Sequence, residues 1–363
     1  MRLLDICDFQ GGSQPPKEEW SFAEQEGYIR MLQIRDFTQS EKVTPEYIKI
    51  SNCIKTCTED DVLIARYGAS IGKVLTGIAG AYNVAIMRTI PDTDIIRKRF
   101  LYYYLKSSYF QYAILNVGSR AAQAGFNKTD LAKLEITCPE LSKQDKIVKI
   151  LEKVESIIQK RKDQLNALDY IIKARFVEMF GDVKYGSERW GGKPFKDITI
   201  NLDSKRKPVK DADRKRMQGI YPYYGATGIV DYINDYRQDG DFLLISEDGK
   251  ALELRSKPIA FLASGKIWVN NHAHVQQCTD ECNMIYLMYH INFMDISIWV
   301  TGIDQKKLNR ANLDTIPIAL PPIELQEQFA AFVHQVDKSK VVVQKALDEA
   351  QLLFDSLMQK YFG

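Results

Sequence analysis

The chain has 363 residues, of which 45% are hydrophobic, 11% aromatic and 26% charged. This is about twice the usual domain length, which favours two domains or one duplicated domain. The composition excludes a small disulfide scaffold and wholesale disorder. The formal net charge is only +2, from 49 basic and 47 acidic residues, so a polyanionic partner would have to bind local basic patches rather than the whole surface.

The distribution of apolar residues indicates a cytoplasmic protein. No apolar run approaches the roughly 18 residues of a membrane span. Asp5 places an acid where a signal peptide has its apolar stretch. The cysteines fit reduced thiols better than a disulfide framework. They are Cys7, Cys53, Cys57, Cys138, Cys278 and Cys282.

The chain repeats itself at an offset of 182 residues. Residues 139–181 align without a gap with residues 321–363, and each copy begins with proline and ends in Phe-Gly. This repeat indicates the tandem duplication of a unit in which a variable globular part is followed by a long helix. Further matching pairs are Phe126 with Leu308, Asn127 with Asn309, Gln144 with Gln326 and Leu165 with Leu347.

Each copy carries apolar residues at heptad spacing, which predicts a long helix. Roughly forty residues at about 1.5 Å each give helices of about 60 Å. Neither Pro nor Gly interrupts them before the terminal Phe-Gly, where glycine is a typical helix terminator. Arg161 and Arg175 interrupt the first apolar seam and Lys340 the second. The seam positions are 147, 151, 154, 158, 161, 165, 168, 172, 175 and 179, and then 329, 333, 336, 340, 343, 347, 350, 354, 357 and 361.

We expect the two helices to form an antiparallel coiled coil within the monomer, because burying both seams in one chain loses no association entropy. Antiparallel pairing would relate the two copies by a pseudo-twofold axis and place the globular parts at opposite ends. The alternative is a pair of core helices in ordinary domains, although core helices usually run only ~11 residues.

The globular parts are predicted as two mixed units, which makes the fold class α/β. Short strands are predicted at residues 61–65 and 241–245, and a helix near residues 100–115, with glycine-rich turns between elements. The predicted boundaries are residues 1–138 for the first globular part, 139–181 for the first long helix, 182–320 for the second globular part and 321–363 for the second long helix.

No motif predicts catalysis by this chain alone. Residues 68–73, Gly-Ala-Ser-Ile-Gly-Lys, look superficially like a phosphate loop. They have three residues between the glycines instead of four, and Val74 stands where Ser or Thr would hold magnesium. A methyltransferase would also need a glycine-rich cofactor loop and an Asn/Asp-Pro-Pro-aromatic motif, and the sequence has neither. We therefore expect no catalytic residue.

One cluster of potential metal ligands points weakly to zinc. His272, His274, Cys278 and Cys282 combine both zinc-ligand types within a short stretch. The spacing of the cysteines lies at the edge of the usual pattern. A strand with incidental thiols is the favoured interpretation, so we predict no metal site.

A basic segment favours nucleic-acid binding. Residues 205–216 carry seven cations and two anions and are followed by Tyr221, Tyr223 and Tyr224. Cations beside aromatic residues suit phosphate and base contacts, and Arg and Gln can contact guanine and adenine edges. A solvated loop is the alternative. The predicted DNA contacts are Arg66, Tyr67, Lys73, Arg88, Arg120 and Gln123 in the first part, and Lys205, Arg206, Lys207, Arg214, Tyr223 and Lys266 in the second.

The repeated helices resemble a known family. Residues 144–151 (Gln-Asp-Lys-Ile-Val-Lys-Ile-Leu), 161–165 (Arg-Lys-Asp-Gln-Leu) and 175–182 (Arg-Phe-Val-Glu-Met-Phe-Gly-Asp) resemble the central conserved region of the specificity subunit of type I restriction-modification enzymes. Residues 321–363, which begin Pro-Pro-Ile-Glu-Leu-Gln-Glu-Gln, are similar to the C-terminal conserved region of that family. The resemblance covers the whole chain, and the two helical repeats are its specific part.

This resemblance implies two target-recognition domains that each read one half of a split DNA sequence, with the paired helices acting as a ruler. It also implies modification subunits that methylate adenine and a separate restriction subunit with motor and nuclease activity. S-adenosylmethionine, ATP and magnesium are then expected on the partner subunits and no cofactor on this chain. The family's helices dock the modification subunits, so the predicted partner contacts are Lys146, Lys153, Lys160, Arg161 and Gln164.

Two alternatives stay open on the sequence alone. A stand-alone DNA methyltransferase or nuclease would bind its own cofactor, which calorimetry with S-adenosylmethionine would detect. A coiled-coil scaffold without DNA affinity would give no mobility shift with duplex DNA.

Overall fold

The computed structural model describes residues 1–39, 42–118, 125–183 and 189–363. The chain divides into two compact units, which we name unit 1 (Met1–Lys162 with Lys345–Gly363) and unit 2 (Asp163–Gln344). The division passes through both long helices, so each unit contains one segment from each helix. Within the described ranges, no helix is both long and apolar enough to cross a membrane.

Unit 1 is built on two sheets. One is four-stranded and antiparallel, in the order β1-β9-β6-β7, and the other is five-stranded, in the order β2-β4-β3-β8-β5, with β3 and β8 parallel. The elements are α1 (Leu3–Ile6), β1 (Cys7–Gly11), β2 (Trp20–Ser21), β3 (Tyr28–Leu32), α2 (Ile34–Thr38), β4 (Tyr47–Lys49), β5 (Thr56–Cys57), β6 (Leu63–Ala65), β7 (Val74–Leu75), β8 (Gly80–Tyr82), β9 (Ile86–Pro91), α3 (Lys98–Lys106), α4 (Ser108–Gly118) and α5 (Leu141–Phe180), which continues into unit 2.

Unit 2 is built on a six-stranded sheet in the order β11-β16-β14-β15-β12-β13, in which only the described β12–β15 pair is parallel, and on the two-stranded sheet β10-β17. The elements are β10 (Gly192–Pro194), α6 (Phe195–Ile198), β11 (Thr199–Asn201), α7 (Asp211–Arg214), β12 (Gln218–Gly225), β13 (Gly228–Ile233), β14 (Gln238–Ser246), α8 (Lys250–Leu254), β15 (Ala260–Val269), β16 (Ala273–Cys278), α9 (Met284–Phe293), α10 (Arg310–Thr315), β17 (Pro317–Ala319) and α11 (Ile323–Phe362), which continues into unit 1.

The two long helices form as the heptad spacing predicts. Both α5 and α11 span 40 residues, and every predicted seam position is buried or half-buried. Helix α5 ends where the sequence predicts, because Gly181 adopts a φ of 87°, which L side chains rarely adopt, and its N–H donates to the carbonyl of Val177 at 2.8 Å. The mixed α/β character of both globular parts is also confirmed.

The predicted helix near residues 100–115 is two helices instead of one. Ser107 separates α3 from α4 because its backbone is extended, with a ψ of 151°. The Ser107 hydroxyl accepts a hydrogen bond from the N–H of Phe110 at 3.3 Å, so the side chain caps the new helix. Ser107 itself is buried, and the sequence pattern alone does not reveal such a break.

In unit 1 the helix segments run antiparallel. Ile158 of α5 and Phe354 of α11 line the same cleft, whereas Phe362 at the end of α11 lies beside Ile136, which precedes α5. These side chains belong to one continuous core with the globular part, since the ring of Phe362 lies 4.9 Å from that of Phe100 in α3. The last turns of α11 therefore form part of the core of unit 1.

Unit 2 shows the same pairing. The Lys340 ammonium lies 2.6 Å from the Asp169 carboxylate, and the ring of Phe329 lies 5.3 Å from that of Phe176. The residue numbers rise on one helix as they fall on the other, so the predicted antiparallel pairing is confirmed within each unit. The Phe176 ring also stacks on Tyr286 of α9 at 5.6 Å, which joins the seam to the globular core.

The repeated glutamines attach each globular part to its long helix. Gln144 is fully buried; its Nε2 donates to the carbonyls of Ile95 at 2.8 Å and Pro139 at 2.7 Å, and its Oε1 accepts from the N–H of Arg97 at 2.9 Å. Arg97 is the N-cap residue of α3. The side chain therefore satisfies three backbone groups that would otherwise be buried without partners.

Gln326 repeats this arrangement in unit 2. Its Nε2 donates to the carbonyls of Pro321 at 2.8 Å and Glu281 at 3.2 Å, and its Oε1 accepts from the N–H of Asn283 at 2.8 Å. Asn283 is the N-cap residue of α9. We name this pair of contacts the glutamine joints. The sequence repeat at these positions thus corresponds to a repeated structural contact.

Replacing either glutamine with alanine is expected to destabilise its own unit. Gln144→Ala or Gln326→Ala leaves buried backbone groups without partners, at a cost of about 1–3 kcal/mol. Urea unfolding of the full chain would show the loss as a lower midpoint. The control is Gln328→Ala, since Gln328 is exposed on the same helix as Gln326. Equal midpoints for all three variants would contradict a structural role for the joints.

A buried histidine makes the stability of unit 2 sensitive to acid. His290 of α9 accepts a hydrogen bond from the N–H of Ala319 at 3.2 Å and is fully buried. Burial lowers the pKa of His290 from its ordinary 6.5 to about 4. Between about pH 6.5 and about pH 4, His290 is protonated in the unfolded chain and neutral in the folded chain. The stability of unit 2 therefore falls as the pH drops through this range.

The loss attributable to His290 is expected to be on the order of 3 kcal/mol. It would be measured as the free energy of unfolding at several pH values from about 7 down to about 4, a range that brackets the ordinary histidine pKa of about 6.5. His290→Gln retains an acceptor for Ala319 and removes the titrating ring, so its profile should be flatter over this interval. A variant with the same pH dependence as the parent chain would rule out His290 as the cause.

Candidate nucleic-acid interface

Three of the predicted contacts in unit 1 lie on one hairpin. Arg66 and Tyr67 follow β6 and Lys73 precedes β7, and the backbones of Ala65 and Lys73 are joined by a hydrogen bond of 2.9 Å. The Arg66 guanidinium lies 5.0 Å from the centre of the Tyr67 ring. Tyr67 and Lys73 are exposed. The hairpin therefore presents two cations and an aromatic ring together.

The hairpin also explains the segment that looks like a phosphate loop. A phosphate loop joins a strand to a helix, whereas residues 68–73 join β6 to β7. Gly68 and Gly72 adopt φ values of 69° and 81°, so both glycines serve the turn. The segment is therefore a turn between two paired strands.

Arg88 does not join this group. Its guanidinium forms an ion pair with Asp61 at 3.0 Å and donates to the carbonyl of Thr56 at 2.9 Å. Burial by itself raises the pKa of Asp61, but the hydrogen bonds from Lys98 and Thr58 and the charge of Arg88 outweigh it and hold that pKa below its usual range. The charge of Arg88 is thus used to stabilise a buried carboxylate. The predicted contacts Arg120 and Gln123 lie outside the described residues.

The basic segment of unit 2 divides its three neighbouring cations between two roles. Lys205 and Lys207 are exposed. The Arg206 side chain is only 16% exposed, and its guanidinium lies 2.5 Å from Glu247 and 3.4 Å from Asp203. It also donates to the carbonyl of Ala273 at 3.0 Å. Arg206 is therefore a structural cation and is a poor candidate for phosphate contact.

Arg206 belongs to a buried charge network with His274. The Nδ1 of His274 lies 2.7 Å from the Asp203 carboxylate, and its Nε2 lies 2.9 Å from the carbonyl oxygen of Leu308. Burial raises the pKa of Asp203, but the hydrogen bond and charge of His274 outweigh it and lower that pKa. Burial also raises the pKa of Glu247, but the contacts that lower it, among them the hydrogen bond from Arg206, together outweigh burial, so that pKa is lowered. This network fixes the segment that carries Lys205 and Lys207.

Two further predicted contacts are part of the fold. Tyr223 is 1% exposed, and its hydroxyl accepts a hydrogen bond from the N–H of Val209 at 2.9 Å. The prediction that Tyr223 contacts DNA is therefore wrong, because its ring is buried. Arg214 packs over that ring at 5.1 Å and contacts Asp231 at 3.2 Å, so its charge is also paired.

Lys266 lies in an exposed group of cations and aromatic rings that the sequence does not reveal. The Lys266 ammonium lies 4.7 Å from the centre of the Tyr236 ring, which is 5.2 Å from the Tyr221 ring. The Arg237 guanidinium lies 5.4 Å from the centre of the Trp268 ring. It also donates to the carbonyl of Lys205 at 2.9 Å. We name this surface the basic aromatic patch; its members are Lys205, Lys207, Tyr221, Tyr236, Arg237 and Lys266.

The potential zinc ligands are engaged in other contacts. Both ring nitrogens of His274 face protein acceptors, and the Nδ1 of His272 lies 2.8 Å from Asp248. A hydrogen bond with the Cys278 thiol, together with burial, raises the pKa of the Cys282 thiol far above its usual range, which opposes the thiolate that zinc requires. Within the described ranges, no group of three or more His, Cys, Asp or Glu side chains could hold a metal ion.

The predicted partner contacts lie along α5. Lys146, Lys153 and Lys160 are exposed and share a stripe of heptad spacing with the exposed Ile150 and Ile157. Gln164 continues the same stripe. Arg161 instead occupies a half-buried position of the seam. The stripe is thus amphipathic and lies away from the seam.

Removing the two exposed lysines of the basic segment should weaken DNA binding for all sequences. In Lys205→Ala/Lys207→Ala, each lost phosphate contact should reduce the salt-dependence slope by about 0.9. The slope would be measured with the full chain and a mixed-sequence duplex. Lys338→Ala is the control, because Lys338 is exposed on α11 outside the patch. An unchanged slope would assign both lysines to a solvated loop.

Comparison with known proteins identifies the family. The model of the type I restriction modification DNA specificity domain matches residues 1–167 and again residues 187–350. A Haemophilus influenzae protein named as a type I restriction enzyme specificity subunit is 38% identical over 144 residues, which cover 39% of this chain and 36% of that protein. The match thus spans about a third of the length of that relative. The type I restriction enzyme EcoprrI specificity subunit of Escherichia coli is 22% identical over 92% of this chain and 86% of its own.

Solved structures agree in fold. A structure that describes complex assembly and conformational transition of the type I restriction-modification system matches with a TM-score of 0.58 and 14% identity, covering 100% of this chain and 96% of the other. The S subunit from M. genitalium matches with a TM-score of 0.56 and 15% identity, covering 100% and 95%. Since the family model matches each half, the resemblance of the helical repeats is confirmed, and a stand-alone methyltransferase or nuclease is disfavoured. The chain belongs to the family of type I restriction-modification DNA specificity subunits.

Proposed function

We propose that this chain recognises a bipartite duplex DNA target, with each unit reading one half. The observation that carries the proposal is the double match of the DNA specificity domain, once over residues 1–167 and once over residues 187–350. The exposed cations and rings support it, because phosphate contacts position a protein on DNA and base contacts specify the sequence. Unit 1 offers Arg66, Tyr67 and Lys73, and unit 2 offers the basic aromatic patch.

The two long helices are proposed to act as the ruler between the half-sites. Each is a continuous helix of 40 residues, and the seam is apolar in both units. A paired helix is stiff, so its length would set the distance and rotational phase of the two recognition surfaces. This makes the preferred spacer of the DNA target a function of helix length.

The amphipathic stripe on α5 is proposed to dock a modification subunit. Lysines alternate there with the exposed Ile150 and Ile157, so a partner would cover apolar side chains while the lysines form a polar rim. The relevant side chains are Lys146, Ile150, Lys153, Ile157, Lys160 and Gln164. The modification subunits would supply methylation with S-adenosylmethionine, and a restriction subunit would supply cleavage with ATP and magnesium.

Methylation profiling of a host that expresses this chain with its modification subunit tests the proposed function. The expected result is one new methylated motif with two specified halves and an unspecified gap of fixed length. A host methylome without any new motif, although both proteins are expressed and assembled, would contradict the proposal.

Lengthening both helices should lengthen the gap. Seven residues inserted between Lys162 and Asp163, and seven between Gln344 and Lys345, preserve the heptad register. They add about 10 Å to each helix, or about three base pairs at ~3.4 Å per pair. The same profiling reports the gap directly.

The matched control keeps the helix length and replaces only exposed residues near these two insertion points. Its gap should equal that of the parent chain. A lengthened variant that methylates the parent motif with an unchanged gap would exclude the ruler, even if the recognition of both halves is retained.

A further inference from the structure

One loop of unit 2 has features that the functions assigned above do not explain. Residues 301–307, Thr-Gly-Ile-Asp-Gln-Lys-Lys, connect the Ser297–Trp299 turn to α10. We propose that this loop is the base-reading element of unit 2, with Ile303 and Gln305 as its specificity-determining side chains. The inference rests on the proposed function, because it names which residues of unit 2 read the DNA.

The base of the loop is fixed. Thr301 and Lys307 exchange two backbone hydrogen bonds of 2.9 and 2.8 Å, and the N–H of Leu308 donates to the carbonyl of Glu247 at 2.8 Å. Leu308 is fully buried. At the turn, Gly302 adopts a φ of 97°, and a Cβ at this residue would lie 2.1 Å from the Gln305 carbonyl oxygen. The loop is therefore a closed turn with an anchored base.

The tip presents an apolar side chain to solvent. Ile303 is 95% exposed. A single exposed isoleucine is ordinary on a protein surface, but this one stands at the tip of an anchored loop, followed by Asp304, Gln305 and Lys306. Apolar side chains contact thymine methyl groups or wedge between base steps. Gln can pair with adenine, and Asp can accept from the amino group of cytosine.

The loop lies next to the predicted phosphate contacts. The Lys307 ammonium lies 3.0 Å from the Glu247 carboxylate, which also binds Arg206 at 2.5 Å. One carboxylate thus links the base of the loop to the segment that exposes Lys205 and Lys207. A base-contacting tip beside phosphate-contacting lysines is the combination that sequence-specific DNA binding requires.

The sequence repeat links this loop to a contact predicted in the first copy. At the offset of 182 residues, Gln305 corresponds to Gln123, a predicted DNA contact. The ends of the two segments are held alike, since the N–H of Phe126 contacts the carbonyl of Arg66 just as that of Leu308 contacts Glu247. Phe126 and Leu308 therefore occupy matching places beside the residues that follow β6 and β14, and in unit 1 those residues include Arg66 and Tyr67.

The test uses the assembled complex of this chain with its modification subunit and the duplex target found by methylation profiling. Ile303→Ser and Gln305→Ala remove the two reading side chains. Ile200→Ser is the matched control: Ile200 is 49% exposed on β11 and pairs with Gln277, at the other end of β16 from the loop. Affinity is measured for the target and for a scrambled duplex of equal length.

We expect each loop variant to bind its target roughly ten- to a hundredfold more weakly, the effect of about one lost base contact. Binding to the scrambled duplex and its salt dependence should be unchanged, and the methylated motif should relax in one half only. The melting temperature should equal that of the parent chain, because Ile303 makes no core contact. The control should match the parent in every measurement.

Three results would overturn the inference. Loop variants with the parent motif and affinity would show that the loop does not read bases. An equal loss on target and scrambled duplex would indicate a general effect on binding. A parent complex that discriminates no target would remove the proposed function and this inference with it, whereas the first two results leave the proposed function intact.

Discussion

The antiparallel contact between the two long helices is the constraint on which both units depend. The core of unit 1 includes Phe354 and Phe362 from the last helix, and the core of unit 2 includes Phe176 and Phe180 from the first. Each buried phenylalanine contributes on the order of 1.5–3 kcal/mol, against a net stability of about 5–15 kcal/mol for a typical domain. Neither copy of the sequence repeat is thus a complete folded unit, although each encodes a complete set of elements.

The charges of unit 2 show how a nearly neutral protein can still present a basic surface. The half-buried carboxylates of Asp203 and Glu247 pair with Arg206 and His274. The cations left on the surface gather beside aromatic rings, as Lys266 does with Tyr236. Some cations are thus paired with carboxylates, whereas others are exposed on the surface. A net charge of +2 is therefore compatible with local attraction for a polyanion.

Local patterns in the sequence predicted the long helices, their ends and the pairing direction, because heptad spacing and a terminal glycine act over a few residues. The site was predicted only in part. Lys205 and Arg206 are adjacent cations that the sequence alone cannot assign to different roles. Only the fold places Glu247, which is 41 residues away, against Arg206. The same holds for Tyr223, whose burial depends on strands paired over long range. Contacts between distant segments therefore limited the prediction of the site more than that of the fold.

The glutamine joints have a consequence for how such proteins can diversify. Gln326 holds its globular part through backbone N–H and carbonyl groups, and Gln144 does the same apart from one contact with the Cys138 thiol at 3.3 Å. Such contacts depend mainly on the backbone of the attached segment and little on its side chains. A different globular part with the same backbone shape could therefore be joined to an unchanged long helix. New DNA targets could be acquired by exchanging whole globular parts without changing the residues that attach them.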